Sequence, residues 1–167
     1  EAAEECSVNF ANSPWGKVAT VHAQDFLEFH PAKKYDLIFS NPPFYLDGLK
    51  SGDKHIDQAK HINRETYEQF IFKTSDLLSD QGRFYVIVPF DQFDYLSKLA
   101  KEDQLHLHQK ITIHATKEKL NSRVILLFSK KEELIVQSEF TIRLSTGGYT
   151  PEYIALTKQY HHTDLTA

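Results

Sequence analysis

The sequence has few sulfur-containing residues and no long apolar run. Its 167 residues include no methionine and one cysteine, Cys6, which excludes a disulfide framework and a zinc site with several cysteine ligands. No apolar run approaches the roughly 20 residues of a membrane-spanning helix, and no signal peptide precedes the first helix. We therefore expect a cytoplasmic protein without a membrane segment. Because the chain starts inside a helix and lacks methionine, we also expect it to be a fragment.

The sequence also lacks an excess of basic residues. Nineteen Lys and Arg stand against 23 Asp and Glu, which leaves a formal net charge of −4 and argues against a general nucleic-acid binder. The charges are unevenly spread, however. Residues 1–30 hold five acids and one base, whereas residues 110–131 hold six bases and one acid. The basic stretch indicates either a local anionic partner or a solvated surface.

What is present is typical of a single globular domain over residues 1–167, with 41% hydrophobic and 25% charged residues. Periodicity predicts helices over 1–12, 67–78 and 93–100, and strands over 17–23, 35–39, 83–89, 105–113, 123–129 and 134–144. Cys6 is expected in the core and Gly82 at a helix C-terminus. Helices that alternate with strands, followed by three strands in succession, predict a doubly wound α/β sheet, mostly parallel with an antiparallel C-terminal hairpin.

The segment Ser40-Asn41-Pro42-Pro43-Phe44 follows a predicted strand, at the edge where ligands bind in such a sheet. Two consecutive prolines remove two backbone donors and stiffen the turn, so the Asn41 amide and nearby carbonyls keep a fixed direction. These oxygens can accept both hydrogens of a planar amino group, and the Phe44 ring can stack on the base that carries it. The alternative is an ordinary proline-stiffened turn.

This segment, preceded by Tyr35-Asp36-Leu37-Ile38, resembles motif IV of the S-adenosylmethionine-dependent amino-group methyltransferases. That family methylates exocyclic nitrogens of nucleobases or the amide of glutamine. The resemblance implies a Rossmann-like class I methyltransferase sheet, S-adenosylmethionine as cofactor, and Asn41, Pro42, Pro43 and Phe44 as catalytic residues, with Asn41 also contacting the cofactor. It further implies that Asp25 and Phe26 lie near the cofactor adenine, although Asp25 also suits a helix N-cap.

Three other segments are similar to the subfamily that methylates N6 of adenine 37 in valine tRNA: residues 1–15, 123–129 and 149–157. The resemblance thus implies methyl transfer to an adenine N6 in tRNA. The family's glycine-rich turn is missing, since none of the six glycines forms a Gly-x-Gly. We therefore expect the first strand, helix and second strand of the domain to lie upstream of Glu1, and a chain without them to bind the cofactor weakly or not at all.

Basic side chains near the predicted site are candidates for contacts with RNA phosphates, with a solvated surface as the alternative. They are Lys54, His61, Arg64, Lys117, Lys119 and Arg123. By parity, His106, His108 and His114 share one face of a strand. No carboxylate or cysteine accompanies these histidines at ligand spacing, so we predict no metal site.

The sequence is also compatible with other functions. The same chemistry could act on guanine N2 of ribosomal RNA or on a protein glutamine. A different class of function is a non-catalytic RNA-binding or protein-binding remnant of the fold. A nicotinamide-dependent Rossmann enzyme is disfavoured, because nothing in its chemistry requires Asn-Pro-Pro-Phe. We expect a monomer.

Overall fold

The computed structural model describes residues 1–42, 64–119, 122–162 and 165. The chain divides into two compact units, Glu1–Ala32 and Lys33–Ala167. No helix in the described ranges is long and apolar enough to cross a membrane.

The first unit contains one helix, α1 (Ala2–Ala11), followed by turns and irregular backbone. The predicted strand over 17–23 is wrong. A strand needs a partner for its backbone groups, and no strand lies within residues 1–32. The prediction of Cys6 as a core residue is also wrong, because α1 has no buried residue and Cys6 is half-buried. Cys6 instead lines an open groove together with Phe10 and Trp15.

The second unit is an α/β structure, as predicted. Its elements are β1 (Tyr35–Ser40), α2 (Arg64–Leu77), β2 (Leu78–Pro89), α3 (Phe93–Glu102), β3 (His106–His114), β4 (Arg123–Ser129), β5 (Val136–Thr141) and α4 (Pro151–Thr157). Short 3₁₀ turns occupy Phe90–Gln92 and Lys158–Tyr160.

The strands form one five-stranded mixed sheet in the order β1-β2-β4-β3-β5. The β1–β2 and β3–β5 pairs are parallel, whereas β4 is antiparallel to both of its neighbours. β3 and β4 thus form the predicted antiparallel hairpin. β5 does not extend that hairpin but returns alongside β3 in the same direction. The carboxyl ends of β1, β2, β3 and β5 therefore share one edge of the sheet, where β4 begins.

The core lies between one face of this sheet and the helices α2 and α3. Alternate residues of β2 and β4 face it because successive side chains of a strand point to opposite sides. In α2, Tyr67 and Ile71 are four residues apart and cover the sheet from one helix face. The buried cluster is completed by Leu78, Phe84, Val86, Val88, Leu96, Leu99, Ala100, Leu105, Val124, Leu126 and Phe128.

Gly82 does not end a helix, contrary to the prediction. Helix α2 stops at Leu77, and β2 begins at the next residue and includes Gly82. The pairing of β1 with β2 shifts register here, from Tyr35 opposite Leu78 to Leu37 opposite Arg83. The extra residues of β2 form a bulge. Gly82 therefore allows β1 and β2 to approach closely and does not end a helix.

A second bulge, at His108, overturns the predicted common face of the three histidines. Leu107 pairs with Phe128, but Gln109 pairs with the adjacent Leu127, so one extra residue reverses the parity along β3. As a result His106 and His114 lie on opposite faces of the sheet. The same reversal places Leu107 on the opposite face from Ile111 and Ile113.

The bulge turns His108 toward the connection between β4 and β5. Its Nε2 lies 2.8 Å from Ser129 Oγ and 2.7 Å from the backbone oxygen of Lys131. Its Nδ1 lies 3.2 Å from Glu133 Oε2. His108 thus ties this connection to the sheet.

Candidate active site

The shared edge at the carboxyl ends of the parallel strands, called here the carboxyl edge, holds Asn41 and Pro42. The last β1–β2 pair is Ser40 with Val86, and the chain leaves the sheet one residue later. Asn41 is exposed and Pro42 is buried. A buried proline ring beside an exposed asparagine is an arrangement that can present an amide oxygen to a ligand. Pro43 and Phe44 lie outside the described residues.

Asp25 and Phe26 belong to the first unit, where Asp25 caps a turn. Its Oδ1 accepts a hydrogen bond of 2.8 Å from the Leu27 backbone N–H. Two further bonds of 3.2 Å, from Glu28 N–H to Asp25 O and from Phe29 N–H to Phe26 O, close the turn. The capping alternative for Asp25 is therefore realised, although on a turn and not on a helix. A capping carboxylate that is exposed remains able to bind a ligand, and the cofactor role stays a prediction.

Three of the predicted RNA-contacting residues reach the carboxyl edge from β4 and from the β3–β4 connection. Arg123 begins β4 and lies between Pro89 of β2 and Ile113 of β3. It is exposed, as are Lys117 and Lys119 in the connection. With strands about 4.8 Å apart, β4 stands about 10 Å from β1 along this edge. Lys54 and His61 lie outside the described residues, as does the side chain of Arg64, the first residue of α2.

Local hydrogen bonds shape the β3–β4 connection. The Ser122 backbone N–H and Oγ each donate to Ile113 O at 3.0 Å, and the Lys119 N–H donates to Thr116 Oγ1 at 3.1 Å. Glu118 lies between the two lysines, and its pKa is held below the usual range by its own backbone N–H and by the Thr116 hydroxyl. This carboxylate therefore stays ionised and offsets part of the positive charge of the connection.

A second group at the carboxyl edge was missed by reasoning from the sequence. Arg143 follows β5, and its guanidinium carbon lies 4.2 Å from the ring centre of Tyr149. The Tyr149 ring stacks on that of Tyr153, with centroids 4.8 Å apart and planes 13° apart. Tyr149 and Tyr153 lie in the segment 149–157, which resembles the subfamily. Nothing in the sequence indicated that Arg143 contacts these tyrosines.

The second unit also has a cavity of about 420 Å³, but it lies at the opposite edge of the sheet. Its lining includes Lys34, Asp76 and Asp103, near the start of β1 and the ends of α2 and α3. Lys34 Nζ donates to Asp76 Oδ1 at 2.8 Å, and this bond holds the pKa of Asp76 below its ordinary value. Burial, with Glu102 nearby, raises the pKa of Asp103. None of these contacts involves Asn41.

Within the described ranges, no three His, Cys, Asp or Glu side chains come together as a group that could hold a metal ion.

Comparisons with known proteins give consistent results. Residues 7–122 match the Eco57I restriction-modification methylase family. The chain is 34% identical over 165 residues to a tRNA1(Val) (adenine(37)-N6)-methyltransferase of Flavobacterium johnsoniae, covering 96% of this chain and 70% of the relative. A Bacteroides thetaiotaomicron protein of the same name is 30% identical over 160 residues, covering 96% and 68%.

Among solved structures, the chain is similar to a predicted O-methyltransferase from Agrobacterium tumefaciens. The TM-score is 0.64 at 12% sequence identity, and the match covers 93% of this chain and 72% of that one. At this identity the similarity concerns the fold alone. It agrees with the predicted class I methyltransferase sheet.

Proposed function

This chain belongs to the tRNA1(Val) (adenine(37)-N6)-methyltransferase family, and from that membership we propose that it transfers a methyl group from S-adenosylmethionine to N6 of an adenine in tRNA. The single structural observation that carries the proposal is the exposed Asn41 amide beside the buried Pro42 at the end of β1. An amide fixed at the carboxyl edge of an α/β sheet is in the place where ligands of such sheets bind.

Asn41 and Pro42 would bind the amino group of the target adenine. The Asn41 side-chain oxygen accepts one N6 hydrogen and the Pro42 carbonyl accepts the other. These two bonds turn the nitrogen lone pair toward the methyl donor and stabilise the positive charge that builds on N6 during transfer. From the sequence, we expect Pro43 to stiffen this segment and Phe44 to stack on the base once the base has left the RNA stack.

Two of the residues present fit part of the cofactor in their chemistry, although the glycine-rich turn of the family is not among them. Asp25 offers an exposed carboxylate as an acceptor for the adenine amino group of the cofactor, and the half-buried Phe26 offers an apolar surface for its ring. S-adenosylmethionine, when bound, supplies an electrophilic methyl carbon on a positively charged sulfur.

The atoms and charges balance without a further reactant. In the transfer, a bond would form between N6 and the methyl carbon, and the bond from that carbon to sulfur would break with its electron pair left on sulfur. N6 then releases one proton to solvent. The protein accelerates this step by orientation and by its hydrogen-bond acceptors, and no covalent bond to the enzyme is needed.

We propose that Lys117, Lys119 and Arg123 contact phosphates of the bound tRNA, because all three are exposed at the carboxyl edge. Roles for Lys54, His61 and Arg64 stay predictions from the sequence, as do a cytoplasmic location and a monomeric state.

Methyl transfer from labelled S-adenosylmethionine to an unmodified valine tRNA transcript, by the protein that carries the segment expected upstream of Glu1, tests the proposal. After digestion we expect the label in N6-methyladenosine. A transcript with guanosine at the target position is the matched control and should stay unlabelled, because guanine has no N6 amino group. Label in N2-methylguanosine of ribosomal RNA or in a protein glutamine would contradict the proposed substrate. Absence of any transfer would favour a non-catalytic remnant.

A further inference from the structure

The segment 149–157 is anchored firmly to the end of β5. The Thr150 N–H donates to Ile142 O at 2.9 Å, and its buried hydroxyl donates to Thr141 O at 2.7 Å. The same hydroxyl oxygen accepts from the Tyr153 N–H at 3.2 Å and caps α4. These bonds fix the positions of the two tyrosines that flank the cap, Tyr149 and Tyr153.

Arg143 is held against these tyrosines. Its Nη1 donates to Gly147 O and its Nη2 to the Tyr149 hydroxyl, both at 2.9 Å. The guanidinium stacks over the Tyr149 ring, which in turn stacks on Tyr153. Arg143 is nevertheless exposed. The group of Arg143, Tyr149 and Tyr153, called here the Arg143 stack, therefore presents a fixed planar cation to solvent.

The Arg143 stack stands at the same edge as Asn41. β5 lies four strand spacings from β1, which places the stack about 19 Å from Asn41 along the edge. Arg123, Lys117 and Lys119 lie between the two, at the start of β4 and in the β3–β4 connection. Basic side chains thus follow one another along this edge, with Asp91 and Glu118 as acidic residues of the same region.

We propose that Arg143 is a contact residue for the tRNA backbone, remote from the target base, and that Tyr149 and Tyr153 are its positioning residues. The inference rests on the proposed function and adds how the enzyme distinguishes a tRNA from a free adenine nucleotide. An RNA segment of several nucleotides, with its target adenine at Asn41, would pass over the basic residues and reach Arg143. There the planar guanidinium of Arg143 binds a phosphate or stacks on an unpaired base.

The chemistry favours RNA over a protein partner. A planar guanidinium that is already oriented loses little side-chain entropy on binding, and it matches both a phosphate and the face of a nucleobase. The track of single positive charges along an exposed edge matches a chain that carries one negative charge per nucleotide.

The test compares Arg143→Ala and Arg143→Lys with the unmodified protein. Lys98→Ala is the matched control, since Lys98 is an exposed base that pairs within α3 with Glu102 at 3.8 Å. Binding of a fluorescent valine tRNA transcript is measured by anisotropy over a series of salt concentrations, and kcat and KM are measured for methyl transfer. Circular dichroism and the unfolding temperature report on the fold.

We expect Arg143→Ala to raise Kd and KM about tenfold, with kcat within about twofold, and to reduce the slope of log K against log salt by about one. Arg143→Lys should restore the salt slope, because the charge is kept, but only part of the affinity. Lys98→Ala should bind as the unmodified protein does.

Unchanged tRNA affinity in both Arg143 variants would overturn the inference while leaving the proposed function intact. A loss of affinity together with a lower unfolding temperature and an unchanged salt slope would also overturn the inference. Arg143 would then have a structural role, which is to stabilise the segment 143–149. Salt-dependent tRNA binding that requires Arg143, without methyl transfer by the unmodified protein, would instead contradict the proposed function and support the inference.

Discussion

Gly82 lies against the backbone of Tyr35: a Cβ atom on Gly82 would stand 2.8 Å from the Tyr35 carbonyl oxygen and 2.7 Å from the Leu78 side chain. The β2 bulge brings these residues together where the parallel β1–β2 pair begins. Because the backbone oxygen cannot move without breaking the strand pair, no side chain fits at this position.

Gly82→Ala should therefore destabilise the second unit by about 1–3 kcal/mol, the usual effect of forcing an extra carbon into a packed region. Urea unfolding, followed by circular dichroism, measures the change in the free energy of unfolding. Gly148→Ala is the control, since nothing lies within 4 Å of a Cβ built there. An equal effect of the two substitutions would show that the close approach to Tyr35 does not matter.

Replacement of Thr150 by valine should loosen α4 locally. Valine has nearly the same shape but loses the bonds to Thr141 O and from the Tyr153 N–H, which together should cost about 1–2 kcal/mol. Hydrogen exchange at the Tyr153 amide should then accelerate about 5–30-fold.

Thr150→Ser keeps the hydroxyl and should exchange at nearly the original rate. Thr157→Val removes only a bond from the Thr157 hydroxyl to Tyr153 O within the helix, so it should have little effect. Fast exchange in the serine variant as well would contradict the role of the hydroxyl.

The Lys34–Asp76 pair should make a small pH-dependent contribution to stability. The hydrogen bond from Lys34 holds the pKa of Asp76 below the ordinary 3.8. A carboxyl with a lowered pKa in the folded state stabilises the protein above its unfolded-state pKa, and this stabilisation is lost as the pH falls through the folded-state pKa. Both side chains are about half exposed, so solvent screening limits the gain to less than about 1 kcal/mol.

Asp76→Asn should accordingly lower the urea midpoint at pH 7 and have progressively less effect below pH 3.8. Lys34→Gln should behave alike, and the double variant should be no worse than either single one, as expected of a pair that acts together. A constant difference between Asp76→Asn and the unmodified protein across this pH range would exclude the ion pair as its cause.

Asn41→Ala should reduce turnover and leave tRNA affinity nearly unchanged. The amide would act on one amino group during transfer, whereas most binding energy for RNA comes from phosphates. We expect kcat to fall about 100-fold, with Kd for tRNA within about twofold. Asn41→Asp keeps an acceptor oxygen in the same place and should retain more activity. Equal losses of kcat and tRNA affinity in Asn41→Ala would argue against the catalytic role.

Elements whose pattern is local could be predicted from the sequence. The apolar run over Val124–Phe128 identified β4, and the spacing of Leu96, Leu99 and Ala100 identified α3. The strand over 17–23 failed because alternation indicates only that a segment can pair. A partner strand has to be present, and residues 1–32 contain none.

The two bulges could not be predicted for a related reason. Parity along β3 placed His106 and His114 on one face, but the extra residue at His108 moves them to opposite faces. Whether a strand carries such a residue depends on the partner against which it aligns, here β4, and not on its own sequence. The same holds for Gly82, whose role depends on the position of Tyr35.

The sequence by itself determined the predicted chemistry of the segment Asn41-Pro42. Asn41 and Pro42 are neighbours in the chain, so their combined properties follow from covalent geometry and from the end of one strand. Only the tertiary structure decided which distant residues join them. The strand order β1-β2-β4-β3-β5, set by hydrogen bonds between segments far apart in sequence, brings Arg123, Lys117 and Arg143 to the edge that begins with Asn41.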